Sequence, residues 1–121
     1  MAPRPRILIV EDEFLLAMDL VQALQAAGYE VAGPAPSVRL ALETIAGVNP
    51  DAAVLDIQLT DGTSFPVARR LVELGLPFIF FTSFTRTAIP EDLAQVPHVS
   101  KLEPHSEVLE ALSCALGEKA P

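Results

Sequence analysis

The chain has 121 residues, half of them apolar, and carries a net charge of −8. That length suits one domain with a real core, and that apolar content excludes a disordered chain. The negative charge speaks against a nucleic-acid partner, whose phosphates need a basic surface. A single cysteine, Cys114, excludes an internal disulfide and points to a reducing cytoplasm, and no apolar run approaches the ~18 residues of a membrane span.

Ile7, Leu8, Ile9 and Val10 are consecutive branched apolar residues, the mark of a strand covered on both faces, and Glu11, Asp12 and Glu13 follow at once. Packing acids at a strand end is costly, because like charges repel and burial disfavours ionisation. Periodicity predicts a helix over 13–27 with Leu16, Leu20, Val21, Leu24 and Ala27 on its buried face and Gly28 as its stop. A short strand over 29–32, interrupted by Glu30, reads as an edge, and 33–36 as a loop. Ser37 is positioned to cap a helix reaching Ala46 and ended by Gly47.

A second central strand spans 52–57, with Asp56 near its end, and Asp61-Gly62 marks a turn over 59–62. Thr63 or Ser64 then caps a helix with Pro66 in its first turn, carrying Val67, Leu71 and Leu74 and ending at Gly75. Residues 78–82 form the most hydrophobic strand. Periodicity fails over 83–96, which predicts irregular, weakly packed backbone with one short helix near 91–95. A weak edge strand over 98–101 follows Pro97. The last helix starts near Pro104 and buries Val108, Leu109, Leu112, Ala115 and Leu116.

Strands alternating with helices imply a parallel sheet covered on both faces, with the ligand site beyond the carboxyl ends of the strands. Glu11, Asp12, Asp56, Thr82 and Lys101 all fall on that edge. Clustered carboxylates hold a small hard cation, and Mg²⁺ takes one or two of them with several waters. A strand-end aspartate beside such a cation is a nucleophile for a phosphoryl group, whose oxygens the Thr82 hydroxyl and the Lys101 ammonium can receive.

With these residues, spaced 44 from Asp12 to Asp56, 26 on to Thr82 and 19 on to Lys101, the chain resembles the receiver domain of two-component response regulators over almost its whole length. The resemblance implies a flavodoxin-like (CheY-like) doubly wound α/β fold with a five-stranded parallel sheet of order 2-1-3-4-5. It implies Asp56 as phosphoacceptor, Thr82 and Lys101 as phosphoryl-binding residues, and Mg²⁺ held by Glu11 or Asp12, Asp56 and the backbone carbonyl of Gln58. The run from Pro77 to Phe84 resembles a subgroup with a Phe-Ala-Thr-Gly-X-Tyr motif and an atypical fourth-helix region, known mostly from alphaproteobacteria. Here Phe80, Phe81 and Thr82 match loosely and Ser83 replaces the glycine.

The expected function is that of a single receiver domain over 1–121, with its core over about 6–117 and no output domain. It would be a cytoplasmic monomer, phosphorylated by a sensor histidine kinase or a histidine phosphotransfer protein and acting by protein contact on a further protein. It would turn over no external substrate, and Phe84 and His98 would face the switch or partner surface. The alternative is a pseudo-receiver that binds partners without phosphate. A haloacid-dehalogenase-type phosphatase is excluded, since the first strand lacks that class's pair of aspartates two residues apart. Lys101 is followed by Leu102, where the family has proline and usually a cis bond. A non-proline cis bond costs ~2.5–4 kcal/mol, so a trans bond and a rearranged loop are expected. Lys101 would then be mobile without phosphate and pair transiently with Glu103.

Overall fold

The computed structural model describes residues 4–83 and 88–118. In chain order its elements are β1 (Arg6–Val10), α1 (Phe14–Ala26), β2 (Glu30–Ala35), α2 (Val38–Val48), β3 (Ala52–Leu55), β4 (Gln58–Leu59), β5 (Gly62–Thr63) and α3 (Phe65–Leu74). There follow β6 (Phe78–Thr82), a 3-10 turn (Glu91–Leu93), β7 (His98–Ser100) and α4 (His105–Ala115). Five strands form one parallel sheet in the order β2-β1-β3-β6-β7, and β4 with β5 makes a separate antiparallel ladder. This is the CheY-like, flavodoxin-like arrangement expected.

Side chains alternate across a strand, so each buried strand feeds two cores. Leu8, Val10, Ala53, Leu55, Phe78 and Phe80 face the side covered by α2 and α3, meeting Ile45, Val67 and Leu71. Ile7, Ile9, Ala52, Val54, Ile79 and Phe81 face the other, meeting Leu20 and Leu24 of α1 and Val108 and Leu112 of α4. Phe80 sits edge-on to both Phe65 and Phe78, at centroid distances of 6.2 and 5.8 Å. Both cores end at the sheet's carboxyl edge, where the acids begin.

Local differences from the sequence reading have identifiable causes. The buried face of α1 runs through Ala17, and Leu16 is exposed, because a stripe centred on Leu20, Val21 and Leu24 passes position 17 one turn earlier. Helix α2 runs past Gly47 and ends at Asn49 in the left-handed conformation, φ 53°. Asparagine tolerates that conformation, and Gly47 stays helical. Ser37 caps α2 as expected, its side chain accepting from the Leu40 N–H. Strand β2 continues through the expected loop to Ala35 by means of an irregularity: Leu8 pairs with Ala32, but Val10 pairs with Ala35. Gly33 lies at the kink with φ +91°, and a Cβ there would stand 2.8 Å from the Ala35 nitrogen and 2.9 Å from the Ile9 carbonyl oxygen.

Two further differences concern segments near the site. The 59–62 turn is the tip of a hairpin, with Gln58 opposite Thr63 and Leu59 opposite Gly62. Within 83–96, the described residues are better anchored than expected: Leu93 is buried among the first core, and Arg69 donates to both oxygens of Asp92 at 2.9 and 3.2 Å. Phe84 lies outside the described residues. The Lys101–Leu102 bond is trans, as expected; the cis bond among the described residues is Gly33–Pro34.

Leu93→Ala leaves a cavity beneath the 3-10 turn, with an expected loss of roughly 2–5 kcal/mol. Leu102→Ala, at a side chain 96% exposed, stays within about 0.5 kcal/mol of wild type. Urea midpoints of the two variants check this contrast. Asp61 accepts from the Val38 N–H at 2.7 Å and the Arg39 N–H at 3.3 Å. The Val38 bond, first of all, holds its carboxyl below the ordinary 3.8. A depressed carboxylate contributes stability that is present above the unfolded-chain value and lost as pH falls through the folded one. Asp61→Asn should therefore melt below wild type at neutral pH, and the two melting curves should converge as acid protonates Asp61. A gap independent of pH would assign the effect to something other than this charge.

Candidate functional site

Each residue of the site is placed by the end of a strand. Glu11 follows β1 directly, and its N–H donates to the Ala35 carbonyl at 3.0 Å, so the sheet ladder carries one step beyond the strand. Asp56 follows β3, which ends two residues earlier than the sequence suggested. Its N–H still bonds the Val10 carbonyl, at 2.9 Å, which sets Asp56 beside the Glu11 turn. Thr82 closes β6 and is buried, in register with Ser100 of β7. Its carbonyl accepts the Lys101 N–H at 3.1 Å.

These placements bring the acids together. Carboxylate oxygens of Glu11, Asp12 and Asp56 lie within 4.8 Å of one another. Glu11 and Asp56 are buried, and Asp12 is half-buried. The Lys101 ammonium reaches Glu11 Oε1 at 2.7 Å and Asp56 Oδ2 at 2.8 Å. Backbone N–H groups take the remaining sides: Glu13 donates to Glu11 Oε2 at 3.1 Å, and Ile57 to Asp56 Oδ1 at 2.8 Å. Burial, with the negative charge of Asp56, pushes the Glu11 carboxyl up to about 7 against the pull of Lys101 and the Glu13 amide. Burial works against the Lys101 charge, but hydrogen bonds to Asp56 and Glu11 outweigh it and hold the ammonium above the ordinary lysine value.

Of the residues singled out in the sequence, Glu11, Asp12, Asp56 and Lys101 converge, with Thr82 at the adjoining strand end. Gln58 lies on β4, two residues past Asp56. His98 is half-buried at the start of β7 and lines a separate groove with Ser100, Glu103 and Glu107, which includes none of Glu11, Asp12 and Asp56. Lys101 pairs with two buried carboxylates in place of the expected Glu103, whose N–H closes a turn on the Ser100 carbonyl. The sequence reading missed Asp61, treated only as a turn residue, whose carboxylate reaches across to the start of α2. It also missed a cavity of about 370 Å³ lined by Glu11, Asp12, Phe14, Ala17, Pro34 and Pro36, which opens onto the acids. Phe14, which lines it, and the next residue, Leu15, are 69% and 77% exposed.

The donor set is all oxygen, anionic and open on the groove side, which fits a small hard divalent cation that keeps some of its waters. The fold and site together define a doubly wound sheet with an acid pocket and a lysine at its carboxyl edge. The family model for the response regulator receiver domain matches residues 7–112, and the chain belongs to that family. It is 27% identical over 115 residues to the transcriptional regulatory protein PdtaR of Mycobacterium tuberculosis, covering 92% of this chain and 56% of that one. The chain thus spans about half the length of that relative. Among solved structures, the PhyR receiver domain of Erythrobacter litoralis has a TM-score of 0.84 and 27% identity, covering 98% of this chain and 95% of that one. PhyR from Brucella abortus has a TM-score of 0.79 and 33% identity, covering 95% of this chain and 49% of that one. Among the described residues no helix is long and apolar enough to cross a membrane.

Lys101→Met would strip the cation from between two buried carboxylates. Removing one partner of a buried pair typically costs about 3–5 kcal/mol. The expected result is a loss of that order in denaturant titration without divalent ions. Adding Glu11→Gln should recover a substantial part, because only one carboxylate then lacks its partner. A Lys101→Met protein as stable as wild type would mean that the ion pairs contribute nothing net.

Proposed function

We propose that this chain accepts a phosphoryl group on Asp56 from a histidine kinase or a histidine phosphotransfer protein, in a Mg²⁺-dependent reaction, and signals by contact with a further protein. The observation that supports this most is the Lys101 ammonium, bonded at once to Asp56 and Glu11 inside an acid cluster. In this reading an Asp56 carboxylate oxygen forms the new P–O bond as the P–N bond of the donor's phosphohistidine breaks. The departing imidazole takes a proton from water. Lys101 then passes from Asp56 Oδ2 to a phosphoryl oxygen, and the Thr82 hydroxyl donates to another. Asp12, Asp56 and the Gln58 backbone carbonyl would hold Mg²⁺, which when bound offsets charge on the transferring group. Glu11 stays with Lys101, fixing its ammonium beside the acceptor.

The exposed Phe14, lining the groove that opens on Asp12, and its exposed neighbour Leu15 offer the donor protein an apolar foothold near the acids. We place the output in the stretch 83–96 that follows Thr82. We take the chain to act as a cytoplasmic monomer that turns over no substrate beyond its own phosphoryl group.

Acetyl phosphate with Mg²⁺ should add one phosphoryl group to wild type, read by intact mass, and none to Asp56→Asn or to wild type in chelator. Equal labelling of Asp56→Asn would move the acceptor elsewhere. A wild type that binds a kinase's phosphotransfer domain yet is never labelled would make this a pseudo-receiver.

A further inference from the structure

After Asp56 the chain makes the β4–β5 hairpin before it enters α3, and the tip of that hairpin is tied across the molecule. The Thr60 hydroxyl donates to the Pro36 carbonyl at 3.1 Å. Asp61 takes the Val38 and Arg39 N–H groups on its two carboxylate oxygens. The same β2–α2 connection is bonded on its other side, where the Ala35 carbonyl accepts the Glu11 N–H at 3.0 Å. One span, 35–39, therefore bridges the two acid-bearing loops. The sheet register fixes Glu11 against Asp56 through the Asp56 N–H to Val10 carbonyl bond. It does not fix Gln58, which lies beyond the sheet on a ladder of two residues. Ile57 and Leu59, buried in the first core, anchor the inner side of the hairpin, and the tether through Thr60 and Asp61 ties its tip to 36–39.

We propose that Asp61 and Thr60 are positioning residues that set the opening of the acid pocket, and through it the preference for Mg²⁺ over the larger Ca²⁺. The proposal rests on the reading of the pocket as a Mg²⁺ site with Gln58 on its rim. The physical reason is a difference in tolerance. Mg²⁺ demands near-octahedral oxygen ligands at ~2.0–2.1 Å, whereas Ca²⁺ accepts irregular ones at ~2.3–2.6 Å. A hairpin cut loose from 35–39 can retreat by a few tenths of an ångström, which penalises the smaller ion and suits the larger.

The test is NMR titration of wild type, Asp61→Ala, Thr60→Val and Ser37→Ala with MgCl₂ and, separately, CaCl₂, following the Glu13 and Ile57 amides. Ser37→Ala is the control, since it removes the cap on the Leu40 N–H at the start of α2 without touching the hairpin. Asp61→Ala should lose Mg²⁺ affinity by roughly tenfold, the scale of a residue that orients metal ligands from behind, while Ca²⁺ affinity falls far less. Thr60→Val should shift the ratio the same way by a smaller factor, and Ser37→Ala should leave it unchanged. An equal fall for both ions in Asp61→Ala, or a shifted ratio in Ser37→Ala, would overturn the inference in favour of a general loosening of α2. A wild type that binds Mg²⁺ while Asp61→Ala keeps its ratio overturns the inference alone. A wild type that binds neither ion overturns the metal site and the inference with it.

Discussion

Glu11 and Asp56 are both buried within 4.8 Å of Asp12, and three carboxylates at that spacing repel one another strongly in a poorly solvated pocket. The Lys101 ammonium, at 2.7 and 2.8 Å from two of them, offsets that repulsion, and much of the molecule follows from the need to bring it there. Lys101 arrives from β7, at the far end of a five-strand order, so the sheet must close in the sequence β2-β1-β3-β6-β7 for the pair to form. Two backbone N–H groups, from Glu13 and Ile57, complete the shell. The carboxylates are thereby arranged before any ligand arrives, which is how a site avoids reorganising during charge transfer.

The same arrangement divides roles among acids that look alike in the sequence. Glu11 has both oxygens engaged by the protein, and burial raises its carboxyl to about 7. Asp56 has each oxygen bonded once, by Lys101 and by its neighbour's amide. Asp12 sits half-buried at the groove mouth. One acid is thus placed as an anchor for the lysine, one is shared between the lysine and a backbone amide, and one stands at the groove mouth. Identity alone could not separate them, since the difference lies in what surrounds each side chain.

Most of the sheet was legible in the sequence because buried parallel strands are nearly continuous apolar runs, and 7–10 and 78–82 are such runs. Lys101 and the acids were legible because strand ends are easy to locate once the runs are found. What escaped was set by partners distant along the chain. Asp61 next to glycine reads as a turn whatever its carboxylate touches, and its partners at 38 and 39 lie more than twenty residues away. Leu93 is one apolar residue in a stretch without period, so only the packed core shows that it is an anchor. Ending α2 at Gly47 followed a sound preference, but Asn49 reached the left-handed conformation two residues later.

The kink at Gly33 carries a consequence for sequence variation. The Ala35 nitrogen and the Ile9 carbonyl leave no space for a side chain there, and the positive φ excludes one independently. This backbone feature returns β2 to register with Val10 and presents the Ala35 carbonyl to Glu11. A position with no functional group of its own is thereby placed under the same constraint as the charged residues it helps to align. In a library sampling every substitution, Gly33 should tolerate as little change as the acids, and a loss there would report a backbone that no longer delivers them.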